Sequence, residues 1–391
     1  MKRCCLLLLL SLLSNPTAAA SQPDMSPELA GQLMRILSNA DADVEQMLSE
    51  LAALAERRRR PNDRRFIIRE RAALLIQEDR LALAKTELLG TLDGQPVTYA
   101  PALRFLLGQI YLLEDNVGAA LEPLETWAAN TQSLDPAGLF LLGYAYVRSE
   151  DFAAAAAILE QLLASATVTR PQWIEVLAYV YTQQGDTERA IDLLQRLVAE
   201  HPAEQRWWRQ LATAYLLIDD VPRGTAGFTI ATSLTQLGFA DARRLAQLFG
   251  YLGMPADGGE LLQNAMASLD EPAGYEDQML LAELWMAARE FDRALDTLRS
   301  ASLTASDGEP QMVMGQLLLQ RELYADASSA LQAAVAAYGE NTPPLTWYLL
   351  AIAELNAGNP AAAEAAIVAF ETDKTFAHRA GPLRDYLRSL R

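Results

Sequence analysis

A small residue returns nine times along this chain at intervals of 33 to 36 residues: Ala72, Gly108, Gly143, Ala178, Ala212, Ala246, Ala282, Gly315 and Ala351. Three other columns lock onto it. Three residues later stand Leu75, Tyr111, Tyr146, Tyr181, Tyr215, Phe249, Trp285 and Leu318, and only Glu354 breaks the set. Twelve residues later comes a second small residue: Ala84, Ala120, Ala155, Ala190, Gly224, Gly258, Ala294, Ala327 and Ala363. Four beyond it is a large apolar residue in every repeat: Leu88, Leu124, Leu159, Leu194, Phe228, Leu262, Leu298, Leu331 and Ile367. A period of this length marks a stacked-repeat architecture.

The spacings dictate the repeat. Each reads as two antiparallel helices joined by a short turn, with Gly185, Gly253 and Gly358 at the turn in three of them. Ala or Gly on both sides lets the two backbones approach, and the aromatic and aliphatic columns fill the space around that contact. One hairpin cannot bury its own apolar face, so each needs a neighbour. Pro136, Pro171, Pro202, Pro272, Pro310 and Pro343 fall between repeats, where a helix has to stop. The expected fold is all-α, an α-solenoid.

The stretches "LLGQIYLLEDNVGAALEPL", "LLGYAYVRSEDFAAAAAIL" and "LAYVYTQQGDTERAIDLL" resemble the tetratricopeptide repeat over about Phe66 to Phe370. That resemblance implies a right-handed superhelix of about nine hairpins and a scaffold that binds proteins or peptides. Over the last half, "LAQLFGYLGMPADGGELL", "LAELWMAAREFDRALDTLRSASLTASDG" and "MGQLLLQRELYADASSALQAA" are similar to periplasmic tetratricopeptide proteins associated with TonB-ExbB-ExbD systems. The second resemblance implies support of an envelope energy-transduction or outer-membrane transport complex.

The N-terminus has the pattern of a cleavable leader. Lys2 and Arg3 precede the apolar run "CCLLLLLSLL", about half the ~20 residues that a membrane span needs, and "NPTAAA" places cleavage after Ala20. The expected location is the periplasm, and the expected divisions are leader 1–20, helical cap 21–61, solenoid 62–373 and capping helix 374–391. Cys4 and Cys5 both lie in the leader, so the remainder has no thiol for a disulfide, a thiolate metal site or a nucleophile. With 51% hydrophobic residues the chain has enough apolar surface for a core without them. The net charge of −18 opposes binding to nucleic acid and favours basic partners.

Before the repeats, Ser26-Pro27-Glu28 reads as a capped helix start, and Val44, Met47, Leu51 and Leu54 recur at helical spacing. They fit a helix covering the first repeat, and the pattern also permits a dimerising coil. Leu383, Leu387 and Leu390 place a helix over the last repeat. Arg57, Arg58, Arg59, Arg60, Arg64 and Arg65 begin a basic island that Arg69 and Arg71 extend. It reads either as a solvated helix end or as a patch for an acidic partner or anionic lipid.

Catalytic signatures do not emerge. His201 and His378 are the only histidines, and neither lies in a zinc-binding spacing. Nucleophile-elbow, P-loop and dinucleotide-binding motifs are missing. No cofactor or metal is expected. Glu150-Asp151 and Asp219-Asp220 fall in turns, where helix capping is the simple role and a pair of glycosidase carboxylates the rival one. An α-helical cell-wall glycosidase is the enzymatic alternative, and an envelope-biogenesis adaptor is the alternative scaffold.

The binding surface follows from the register. Positions three before, one after and four after the first small residue fall on the inner wall of a tetratricopeptide stack. The first two give Phe105, Gln109, Phe140, Tyr144, Glu175, Tyr179, Arg209, Thr213, Arg243 and Gln247 as a candidate partner groove, and the third adds Leu112, Val147, Thr182 and Leu216. Aromatic and arginine side chains are those that interfaces favour. Each of the aromatics is equally suited to packing between adjacent repeats.

Overall fold

The computed structural model describes residues 25–39, 43–58, 60–235 and 237–389, which form 21 α-helices and no strand. Residues 1–20, where a leader is expected, Arg59 and Leu390 lie outside the described residues. Met1–Pro202 is one compact unit and Ala203–Arg391 a second.

The first unit contains two leading helices, Pro27–Leu37 and Val44–Arg57, and four hairpins. Hairpin 1 is Pro61–Gln77 with Leu81–Leu92, hairpin 2 Pro101–Leu113 with Val117–Ala129, hairpin 3 Pro136–Arg148 with Phe152–Ser165, and hairpin 4 Pro171–Gln183 with Thr187–Glu200. The second unit contains five. Hairpin 5 is Gln205–Leu217 with Val221–Ser233, hairpin 6 Phe239–Tyr251 with Pro255–Ala267, and hairpin 7 Tyr275–Ala287 with Phe291–Ala301. Hairpin 8 is Glu309–Gln320 with Tyr324–Tyr338, hairpin 9 is Pro344–Asn356 with Pro360–Phe370, and the helix Ala380–Ser389 follows.

The columns do what their residue types require. A Cβ on Gly108 would lie 2.5 Å from Leu124 Cγ, and one on Gly143 would lie 2.8 Å from Leu159 Cδ2. The first small column therefore meets the large apolar column of its own hairpin. All nine members of that apolar column are 3% exposed or less. The prolines between repeats open helices as well as close them: Pro136 and Pro171 are first residues, where the missing N–H costs nothing.

Every hairpin turns in the same way. Seven residues after the first small residue the backbone enters the left-handed region, at Asp79, Asp115, Glu150, Gly185, Asp219, Gly253, Arg289, Glu322 and Gly358. The next N–H then donates back to the carbonyl of the aromatic column, at 2.8 to 3.0 Å; Asp186 N to Tyr181 O is 2.9 Å. This six-to-one bond closes a Schellman turn. Only three of the nine residues are glycine, so the glycine signal marks a third of the turns.

The residue after the turn begins the second helix. Asn116, Asp151, Asp186 and Asp220 each accept from the backbone N–H three residues on, Ala154 N to Asp151 Oδ1 being 3.0 Å. The acidic pairs are thereby accounted for: Glu150 and Asp219 make the turn, Asp151 and Asp220 cap the helix.

Glu354, the break in the aromatic column, is 1% exposed. Its carboxylate accepts from Ser328 Oγ at 2.7 Å, Gln332 Nε2 at 2.7 Å and Asn359 Nδ2 at 2.8 Å. A polar set has replaced the ring, and hydrogen bonds satisfy its buried oxygens.

The flanking helices cover their ends. Ser26 Oγ accepts from Leu29 N at 3.3 Å, with Pro27 as the first helical residue. Leu29 and Leu33 join Leu48, Leu51, Ala55, Phe66, Ile67 and Ala72 in one buried cluster. The buried line of Val44–Arg57 is thus Leu48, Leu51 and Ala55 instead of the expected Val44, Met47, Leu51 and Leu54. Val44 and Leu54 sit at its rim, because the helix must face both the preceding helix and hairpin 1. At the other end Leu387 is buried and Leu383 packs on the cluster that holds Phe370.

Candidate partner-binding site

In the first unit the wall positions come from the first helices of hairpins 2 to 4. Phe105 is half-buried against the Trp127 ring, centroids 4.9 Å apart. Gln109 is 3% exposed and Phe140 8%, so these two belong to the packing and not to an open wall. Their burial has a local cause. Phe140 is wedged between Tyr144, at 6.4 Å, and Trp173 of the next hairpin, at 6.5 Å. Tyr144 is half-buried, with Arg148 stacked over its ring at 6.0 Å and held there by the Asp115 carboxylate. Glu175 is half-buried as well, and Tyr179 is 42% exposed with its ring edge-on to Phe152 at 6.3 Å.

Tyr144 and Tyr179 hold the same place in consecutive repeats. Each sits one residue after the small residue, Gly143 or Ala178, on first helices that touch. Tyr144 stands half-buried over Phe140, which packs on the buried Trp173, and Tyr179 is exposed beside Phe152. Trp173 and Arg148 were not among the expected site residues. They lie outside the three wall positions and act by supporting the rings.

The second unit treats its wall positions differently. Arg209 donates through Nη1 to Asp241 Oδ1 at 2.7 Å and through Nη2 to Oδ2, a bidentate pair between hairpins 5 and 6. The guanidinium holds the Asp241 carboxyl below the usual carboxylate range, and the carboxylate raises Arg209 in turn. Arg243 pairs with Asp277 at 2.6 Å and Glu276 at 3.6 Å, joining hairpins 6 and 7. Both arginines are thus occupied with repeat stacking. Thr213 and Gln247 are exposed, and Thr213 Oγ1 donates to the Arg209 carbonyl at 2.8 Å.

The basic island is divided between structure and surface. Arg58 donates to Glu28 Oε1 at 2.8 Å and Gln32 Oε1 at 2.9 Å, tying the first helix down. The Arg65 guanidinium lies 4.9 Å from the centroid of the Phe66 ring. Arg69 pairs with Glu70, and Arg71 pairs with Glu87. Arg57, Arg60 and Arg64 are exposed. A patch of six arginines is therefore reduced, among the described residues, to three at the surface.

Glu200 ion-pairs with Arg196 at 2.9 Å, and His201 ends the helix with its N–H on Leu197 O at 2.9 Å. The sequence neighbours Glu200 and His201 serve separate structural partners. Among the described residues no group of three His, Cys, Asp or Glu side chains converges as a metal site, and no helix is long and apolar enough to cross a membrane.

Residues 140–204, 175–223 and 312–371 match the family model of the tetratricopeptide repeat. No curated protein matches the chain. Among solved structures, it is similar to a tetratricopeptide repeat protein from Parabacteroides merdae ATCC 43184 at 16% identity and TM-score 0.39, covering 69% of this chain and 98% of that one. The C-terminal part of a TPR repeat-containing protein from Cytophaga hutchinsonii is similar at 13% identity and TM-score 0.43, covering 72% and 99%. MamA from Desulfovibrio magneticus RS-1, from residue 41 to its end, is similar at 20% identity and TM-score 0.38, covering 44% and 97%. With four residue columns, nine helical hairpins and the matched segments in agreement, the chain is a tetratricopeptide-repeat protein.

Proposed function

We propose that this chain is a non-catalytic periplasmic scaffold that holds a peptide segment of a protein partner along the first helices of hairpins 2 to 4. Tetratricopeptide repeats serve protein–protein interaction, and one observation supports this particular wall. Tyr144 and Tyr179 repeat at one register, Tyr144 half-buried over Phe140 and Tyr179 exposed beside Phe152, while Phe140 and Trp173 are buried. Large rigid rings over a firm floor provide apolar contact at small entropic cost, and the phenol oxygens add hydrogen bonds to a peptide backbone. The leader-like N-terminus supports the periplasmic location, and the resemblance in the last half supports service to a TonB-linked envelope transport system.

A photo-crosslinking residue at position 144 or 179, used in intact cells and followed by mass spectrometry, tests the site and identifies the partner. The expected adduct is an envelope protein of a TonB-ExbB-ExbD or outer-membrane transport complex, lost in the folded Tyr144→Ala/Tyr179→Ala variant. Undiminished capture when that variant carries the crosslinker at position 105 would place binding elsewhere. A cytoplasmic adduct, or a reporter fused to residues 1–24 that stays in the cytoplasm, would remove the periplasmic assignment.

A further inference from the structure

The repeats act as internal controls for one another. The two residues five and six positions after the first small residue end the first helix and face the turn edge. They are polar in four hairpins: Gln77-Glu78, Arg148-Ser149, Gln183-Gln184 and Gln320-Arg321. In hairpins 5 and 6 they are Leu217-Ile218 and Tyr251-Leu252. Leu217 is 58% exposed, Ile218 40% and Tyr251 77%. Met254, 44% exposed, occupies the helix-start position at which hairpins 2 to 5 place Asn116, Asp151, Asp186 and Asp220, and it makes no capping bond.

The fold does not call for these apolar side chains. Hairpins with polar residues there close the same turn, Asp186 N to Tyr181 O at 2.9 Å matching Met254 N to Phe249 O at 2.8 Å. Met254 lacks the side-chain cap that hairpins 2 to 5 make there, as do Arg80, Glu290, Leu323 and Asn359 in hairpins 1, 7, 8 and 9. The two edges lie side by side, since Leu216, Leu248 and Phe249 pack around one cluster of Ala212, Phe228 and Leu245. Leu217, Ile218, Tyr251 and Met254 thus form an apolar ridge within the second unit.

The margins of the ridge are anionic. Asp219 follows Ile218, and Asp257 lies three residues after Met254; both are exposed, and neither has an ion-pair partner among the described residues. Arg223, the cation in the same turn, is held by Asp220 at 2.5 Å and stacks on Tyr215. Apolar area bordered by free carboxylates complements apolar side chains bordered by Lys or Arg, and it repels an anionic bilayer surface.

We propose that the turn edge of hairpins 5 and 6 is a second docking surface, which takes a basic amphipathic helical segment of a protein partner. It lies in the other unit from Tyr144 and Tyr179 and does not depend on them. The anchors are Leu217, Tyr251 and Met254, and Asp219 and Asp257 meet the cationic border.

Replacements are taken from the other repeats: Leu217→Gln, Tyr251→Gln and Met254→Asp combined. The probe is a fluorescent Leu/Lys amphipathic helix of about 18 residues, five turns, titrated with the full chain by anisotropy. A Leu/Glu peptide of the same pattern is the control. The Leu/Lys peptide is expected to bind, the Leu/Glu peptide not, and the triple variant to bind about tenfold more weakly or worse. Met254→Asp adds negative charge and a helix cap, so general charge attraction predicts tighter binding by the variant, and unfolding predicts a lower melting temperature. The expected result is weaker binding with the melting temperature kept or raised. Equal affinity in chain and variant would overturn the proposal, as would loss of the peptide in Tyr144→Ala/Tyr179→Ala instead. Binding of the chain, but not the variant, to phosphatidylglycerol/phosphatidylethanolamine vesicles would reassign the ridge to lipid. Self-association in sedimentation that the variant abolishes would reassign it to a second copy.

Discussion

The Ser328 hydroxyl donates to the buried Glu354 carboxylate at 2.7 Å, across the boundary between hairpins 8 and 9. Elsewhere in this column an aromatic or leucine side chain fills the same space, and Glu354 is the one carboxylate in it. Glu354→Leu strands Ser328, Gln332 and Asn359 without their common acceptor. It is expected to lower stability by about 2–4 kcal/mol, and Glu354→Gln by less, since an amide oxygen still accepts. Urea denaturation of the three proteins measures the difference; a neutral Glu354→Leu would mean that the site repacks around an aliphatic side chain.

Glu322 holds a left-handed backbone conformation, φ 58°, in a turn that Gly185 makes at φ 80° in hairpin 4. An L-residue pays a steric penalty there that glycine does not. Glu322→Gly should therefore stabilise by about 0.5–1 kcal/mol and Gly185→Ala destabilise by about 1 kcal/mol. Opposite shifts of the urea midpoint check the pair together.

Gly143 has no room for a side chain, because its Cβ would already meet Leu159 Cδ2 at 2.8 Å. Gly143→Leu forces the two helices of hairpin 3 apart and should cost about 3 kcal/mol or more. Loss of stability with helical circular dichroism retained at low temperature is the expected signature.

Asp241 titrates below an ordinary carboxyl because Arg209 holds its charged form. Its folded pKa is lower than its unfolded one, near 4. The pair's contribution is present above that value and is lost as pH falls through the lower folded pKa. Acid unfolding of Asp241→Asn should therefore lose less stability between neutral pH and the acid transition than the parent. Parallel curves would mean that the pair contributes nothing.

Tyr146 and Tyr181 are each pushed up to about 12, first by burial and then by hydrogen bonds to Glu125 and Glu160, at 2.8 and 2.7 Å. Raised folded values mean that their contribution is complete below the ordinary tyrosine value of about 10 and disappears as pH rises through about 12. Phenolate absorbance should show late-titrating tyrosines, one fewer in Tyr181→Phe. Titration of all tyrosines near pH 10 in the folded protein would contradict the two bonds.

The hairpins were readable from sequence because the repeat multiplies a weak signal by nine. A small residue in one helix means little; nine in register mean that two backbones touch. The same alignment left Glu354 unexplained, since its partners Ser328, Gln332 and Asn359 reach it from other helices and belong to no column. It also marked only three of nine turns. A left-handed residue is obvious when it is glycine, whereas Asp79, Arg289 and Glu322 carry no local sign of it.

For the binding wall, register located the positions and burial divided them. Sequence placed Phe140 and Tyr144 on one helix face four residues apart, with equal claims to a partner. Only the packed structure sends Phe140 inward against Trp173, leaves Tyr144 half-buried and leaves Tyr179 exposed, because accessibility depends on the neighbouring hairpin. Arg209 and Arg243 were legible as charges, and the carboxylates that occupy them come from the next repeat. Sequence by itself determined the helical period, the sites of backbone contact and the all-α class, since these follow from side-chain size at fixed spacing. Tertiary structure decided which side chains face water, because that depends on atoms about 35 residues away.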